Sequence, residues 1–132
     1  MLKAHAGFGT TAMLPTVITD SVATMQQCAD AIAAAVAACE PGILGVHFEG
    51  PHLSVPKKGV HPVAHIRPLS EQELAIYART DLGVKMVTVA PENISPDQIR
   101  QLVAAGVIVC LGHSNADGAT VEAAIAAGAS GF

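Results

Sequence analysis

Four short apolar runs without helical period, at 11–18, 43–48, 84–90 and 107–111, alternate along the chain with segments whose apolar residues recur every three or four positions. The runs predict buried parallel strands. In the first helical segment Val22, Met25, Ala29, Ile32, Val36 and Cys39 follow a 3-4-3-4-3 spacing that places all six on one face, with Asp20 or Ser21 able to cap it. Ser70-Glu71-Gln72-Glu73 is a capping box and predicts a second helix start. Ser95-Pro96-Asp97-Gln98 repeats that logic with proline at the first helical position, and Gly106 offers a left-handed stop, giving a helix over 96–105. A last helix over 118–127 is expected to bury Val121, Ala124 and Ile125 and to end at Gly128, after which 129–132 begin another strand.

Strict alternation of strand and helix implies right-handed crossovers and a parallel sheet, either doubly wound or part of a (β/α)8 barrel. A whole barrel takes ~250 residues, so the 132 here, with about four βα units, correspond to roughly half of one. No linker divides the chain, which reads as a single partial domain over 1–132. The connection at 50–69 exceeds the usual ~2–6 residues of a βα loop and is a candidate functional loop.

With 51% apolar and only 14% charged residues the chain can bury a large core. A net charge of -4 and the near absence of aromatics, three phenylalanines, one tyrosine and no tryptophan, argue against a nucleic-acid partner. Cys28, Cys39 and Cys110 form no CxxC pair and sit among Ala, Ile and Val, as small hydrophobes do in a reduced, cytoplasmic setting. The longest apolar stretch is about half the ~20 residues that span a bilayer, and no signal sequence is visible, so a membrane role is not expected.

Two polar residues stand where strands should end. Glu49 interrupts an apolar run just before Gly50-Pro51, where a carboxylate must be solvated, paired or bound to a metal. His113 follows Leu111-Gly112, and its imidazole can ligate a metal or satisfy a hydrogen bond. Together they suit a divalent ion such as zinc or iron, which needs further ligands. His47 shares the face of Glu49 one layer deeper and fits a packing or supporting role. His52, His61, His65, Lys57 and Lys58 enrich the long loop in groups suited to sugar hydroxyls or phosphate. Ser114 and Asn115 can orient His113 or cap the last helix, and Glu92 lies at the same strand-end level.

The order of these motifs, from Gly9-Thr10-Thr11 and Leu14-Pro15-Thr16 through Gly45-Val46-His47-Phe48-Glu49-Gly50-Pro51, Lys57-Lys58-Gly59-Val60-His61, Val87 to Glu92 and Leu111 to Ala116, resembles the N-acetylglucosamine-6-phosphate deacetylases of the metal-dependent amidohydrolase superfamily. The resemblance implies a deformed (β/α)8 barrel with a small β domain, a homodimer, and one divalent metal ion, zinc or iron. It assigns Glu49 and His113 to the metal and Val60 and His61 to the amino-sugar phosphate substrate. It places the third metal ligand, the catalytic aspartate and a phosphate-contacting arginine beyond Phe132, and the first strand and small β domain before Met1, which itself would fall in a helix. On that basis no catalytic residue lies within this chain, which alone should be inactive, with two open sheet edges that favour association. The other readings are an amidohydrolase acting on a different N-acyl sugar or amide, and a non-catalytic α/β module that binds a phosphorylated ligand.

Overall fold

The computed structural model describes residues 2–132; the expectation for Met1 lies outside the described residues. Four parallel strands, β1 (Thr16–Ile18), β2 (Gly45–Glu49), β3 (Val84–Val89) and β4 (Val107–Leu111), stand side by side in chain order. That order is the barrel order; a doubly wound sheet reverses direction partway. Parallel bridges from Met13 to Ile43 and from Cys110 to Gly131 extend the sheet's pairing, the second within the segment 129–132 where another strand is expected.

The α-helices are α1 (Leu2–Ala6), α2 (Val22–Ala37), α3 (Glu71–Tyr77), α4 (Pro96–Ala104) and α5 (Gly118–Ala126), and the long loop adds 3-10 turns at Val55–Lys57 and Val63–His65. Sheet burial alternates with period two. Val46, Phe48, Val87, Val89, Val109 and Leu111 are buried in one core with Met25 and Ala29 of α2, Ile76 and Tyr77 of α3, and Ile99 and Leu102 of α4. The edge of Phe48 meets Tyr77 at a centroid distance of 5.0 Å. The opposite face leaves Ile18, Val84 and Ile108 exposed and carries the polar side chains of Thr16, His47, Glu49 and Thr88.

Both capping boxes form as expected, Ser70 accepting from Glu73 N and Ser95 from Gln98 N. Ser21 caps α2 by accepting from Thr24 N. Four expectations need correction. The first strand is only Thr16–Ile18, because Pro15 has no N–H to donate and the register slips by one residue between the Met13–Ile43 bridge and the Thr16–His47 pair. Cys39 does not share the buried face of α2: the helix ends at Ala37 and Cys39 turns into the left-handed region at φ 52°, exposed. Ile125 is 47% exposed, since α5 turns Ala124 to the core instead. Neither Ser114 nor Asn115 caps α5; Asp117 does, accepting from Thr120 N. No helix among the described residues is long and apolar enough to cross a membrane.

Candidate metal centre

Glu49 is the last residue of β2, and His113 lies two positions past β4, so both stand at C-terminal strand ends. Their side chains converge: His113 Nε2 lies 3.0 Å from Glu49 Oε1. His61, carried there by the long loop and only 2% exposed, brings its Nε2 to 3.6 Å from the same oxygen. The rings of His61 and His113 meet edge to face at 4.7 Å. One donor atom from each of the three residues falls within 4.8 Å of the others.

The backbone around His113 is specialised. His113 sits at φ 50°, a region that costs an L-residue ~1–2 kcal/mol, and the loop holds it there. Its carbonyl accepts from Ser54 N at 3.0 Å and its Nδ1 reaches Lys57 O at 2.9 Å. Gly112 allows the approach, because a Cβ there would stand 2.7 Å from Thr88 Cγ2. Glu92 fixes the next residues, accepting from Ser114 Oγ and Asn115 N at 2.7 Å each, and these bonds together with those of Ser54 hold its carboxyl below the usual range against the opposing effect of burial.

Hydrogen bonding dictates what faces Glu49. The carbonyl of Lys57 can only accept, so Nδ1 of His113 carries a proton, and a neutral ring would turn the Nε2 lone pair toward the carboxylate. His61 Nδ1 lies 2.8 Å from Thr19 Oγ1, whose hydroxyl also reaches Glu49 O at 3.3 Å. Both contacts are hydrogen bonds together only when Thr19 donates to the carbonyl and accepts from His61 Nδ1, which leaves the Nε2 of His61 as an acceptor as well. Burial holds the His61 imidazole below the ordinary histidine value, the Glu49 charge offsetting this only in part. Three acceptors therefore point at one spot. A proton can bridge one pair of them, whereas a cation satisfies all three. Ligand atoms on one tetrahedral ion with bonds of ~2.0–2.2 Å stand ~3.3–3.6 Å apart, close to the spacings of Glu49 to the two rings. One carboxylate oxygen and two imidazole nitrogens are a donor set suited to a divalent transition metal.

The remaining loop residues divide. Val60, adjacent to His61, is 87% exposed. His52 is buried away from the cluster, with Nδ1 on Arg67 O at 3.0 Å and Nε2 on the Tyr77 hydroxyl at 3.1 Å, so it is not free to meet a sugar. Lys57 is exposed, and Lys58 turns its ammonium to Gly59 O. His47 lies one layer below Glu49 between Thr88 Oγ1 at 2.8 Å and Thr16 Oγ1 at 3.2 Å, a packing and hydrogen-bonding position in line with the sequence reading. Sequence reasoning did not anticipate His61 beside Glu49, nor the part of Thr19, whose only signal was its place just past β1.

No family model matches the chain. An N-acetylgalactosamine-6-phosphate deacetylase of Shewanella sp. (strain ANA-3) is 61% identical across all of this chain, which spans 34% of that relative's length. The crystal structure of N-acetylglucosamine-6-phosphate deacetylase from Pasteurella multocida superposes with a TM-score of 0.86 at 39% identity, over 92% of this chain and 32% of that one. A Mycobacterium smegmatis N-acetyl-D-glucosamine-6-phosphate deacetylase solved in complex with N-acetyl-D-glucosamine-6-phosphate gives a TM-score of 0.79 at 32% identity, over 91% and 32% of the two chains. Across its whole length this chain is thus homologous to the N-acetylglucosamine- and N-acetylgalactosamine-6-phosphate deacetylases, over a segment that spans about a third of them.

Proposed function

We propose that this chain forms part of the barrel of a metal-dependent N-acetylhexosamine-6-phosphate deacetylase, and that Glu49 and His113 hold its divalent ion, zinc or iron. The convergence of Glu49 and His113 at 3.0 Å, at strand ends of a chain 61% identical to such an enzyme, carries the reading. When bound, the ion supplies Lewis-acid polarisation of the amide carbonyl and a lowered pKa for its water. Glu49 contributes the anionic oxygen, and His113, anchored through Nδ1 on Lys57 O, contributes Nε2 in a fixed orientation. Val60 and His61 meet the amino-sugar phosphate, His61 from within the cluster and Val60 from its exposed rim. No residue of this chain is assigned the proton transfers of hydrolysis, and residues 1–132 act as one partial barrel domain of a cytoplasmic homodimer.

Two sugars are in play, because the 61% identical relative is named for the galacto epimer and the solved structures for the gluco epimer. The ratio of kcat/KM for the two N-acetyl sugar phosphates, measured on a deacetylase containing this chain, assigns the substrate. In the same protein Glu49→Gln and His113→Ala should each abolish stoichiometric metal. Retention of metal by both variants would transfer the reading to a non-catalytic ligand-binding module.

Expressed by itself, the chain should associate through the inner sheet face that leaves Ile18, Val84 and Ile108 exposed. A monodisperse monomer by light scattering would count against this.

A further inference from the structure

We propose that Thr19 is a positioning residue for the cluster: its hydroxyl fixes which nitrogen of the His61 ring faces Glu49. The inference deepens the reading in which His61 meets the sugar phosphate beside the ion held by Glu49 and His113, and rests on it for its functional meaning. Thr19 follows the last residue of β1 and is 2% exposed, so water does not compete for its hydrogen bonds. Its Oγ1 stands between Glu49 O at 3.3 Å and His61 Nδ1 at 2.8 Å.

A hydroxyl has one proton, and the two arrangements open to it are unequal. With Nδ1 of His61 protonated, Thr19 donates to the Glu49 carbonyl and accepts from the ring, and both contacts are made. With Nε2 protonated instead, Thr19 must donate to Nδ1 and the carbonyl loses its donor. The Nε2 proton would then point toward Glu49 Oε1 at 3.6 Å, beyond hydrogen-bond reach. The first arrangement makes one hydrogen bond more in a buried place. The backbone makes room for it: at Gly50, φ 82°, a Cβ would stand 2.2 Å from Thr19 Oγ1. His113 reaches the same orientation through a carbonyl, that of Lys57. In its neutral form each ring therefore presents Nε2 as an acceptor, and the group a neutral His61 meets must be a cation or a hydrogen-bond donor.

Long-range proton–nitrogen NMR of the histidine rings in a metal-free deacetylase containing this chain, at a pH where His61 is neutral, reads the tautomer directly. Wild type should show His61 protonated at Nδ1. The isosteric Thr19→Val should lose that preference and Thr19→Ser should keep it, while the His52 ring, held by Arg67 and Tyr77, stays unchanged and certifies the fold. In the same protein with zinc restored, KM for the N-acetyl sugar phosphate should rise roughly tenfold in Thr19→Val, the equivalent of about one hydrogen bond, and recover in Thr19→Ser, with zinc content unchanged in both. An Nε2-protonated His61 in wild type, or an unaltered tautomer in Thr19→Val, would overturn the proposal. The expected tautomers in a protein that binds no zinc would sustain the role of Thr19 and remove the metal reading instead.

Discussion

Arg67 closes on Glu73, six residues away, with Nε and Nη2 at 2.8 and 2.7 Å from one carboxylate oxygen. The other oxygen of Glu73 accepts from Ser70 N at 3.0 Å and Ser70 Oγ at 2.7 Å. A single buried carboxylate thus completes the capping box of α3 and pins the end of the long loop. Arg67 in turn ties that end to its beginning, donating its N–H to Pro51 O at 3.2 Å and accepting from His52 Nδ1. The loop that carries His61 is closed at its base.

Removing one member of such a pair leaves the other uncompensated. Glu73→Ala should therefore lower stability by about 3 kcal/mol, read as a drop in the urea midpoint at unchanged slope. Glu71→Ala, two residues away on the exposed side, should stay within ~0.5 kcal/mol. Equal effects from the two would show that the buried pair contributes nothing beyond helix propensity.

His52 gives the fold a pH dependence of definite sign. Burial holds its imidazole below the ordinary value of 6.5, and its bond to the Arg67 carbonyl opposes this only in part. The unfolded chain then binds more protons than the folded one as pH falls through 6.5. The contribution of His52 is present in full above that value and is lost on acidification below it, down to the folded-state pKa. Unfolding curves between pH 7.5 and about 5 should show stability falling with pH. His52→Phe should reduce that slope without abolishing it, because burial lowers His47 and His61 in the same direction. A slope unchanged by the substitution would show that His52 titrates alike in both states.

On the helix-facing side of β3, Lys85 is buried with its ammonium on Arg79 O at 2.9 Å and Ala105 O at 2.7 Å. It satisfies carbonyls just past the ends of α3 and α4, which lack partners of their own. Lys85→Met keeps the length of the side chain and removes both bonds, so it should cost about 2 kcal/mol. Amide exchange should quicken first in the last turn of α4. Uniform loss of protection across the sheet would place the effect in the core instead.

The features that were legible in the sequence are those fixed by neighbours along the chain. β4 occupies 107–111 as the apolar run predicts, and both capping boxes form because their partners lie three residues apart. Glu49 and His113 could be read because each interrupts an apolar strand end. The place of His61 could not be, since it depends on how residues 50–69 fold, and that segment has no periodicity to read. Thr19 escaped for a different reason: a hydroxyl signals no chemistry until its partners are known. Lys85 was hidden inside a run, 84–90, whose other residues apart from Thr88 are apolar.

The misreading of Cys39 supplies a test of its own. Its spacing continues the apolar face of α2, but the sequence pattern carries no information on where the backbone turns. The helix closes with Cys39 N on Val36 O and Glu40 N on Ala35 O, both at 3.0 Å, and the second bond requires the left-handed residue between helix and loop. Glycine accepts that conformation without the crowding a Cβ brings. Cys39→Gly should therefore stabilise the chain by about 1 kcal/mol, a rise of roughly 4 °C in Tm. Cys39→Ala retains the Cβ and should give no such gain, separating the backbone effect from loss of the thiol. A Tm unchanged by glycine, or raised equally by alanine, would show that the left-handed turn carries no cost.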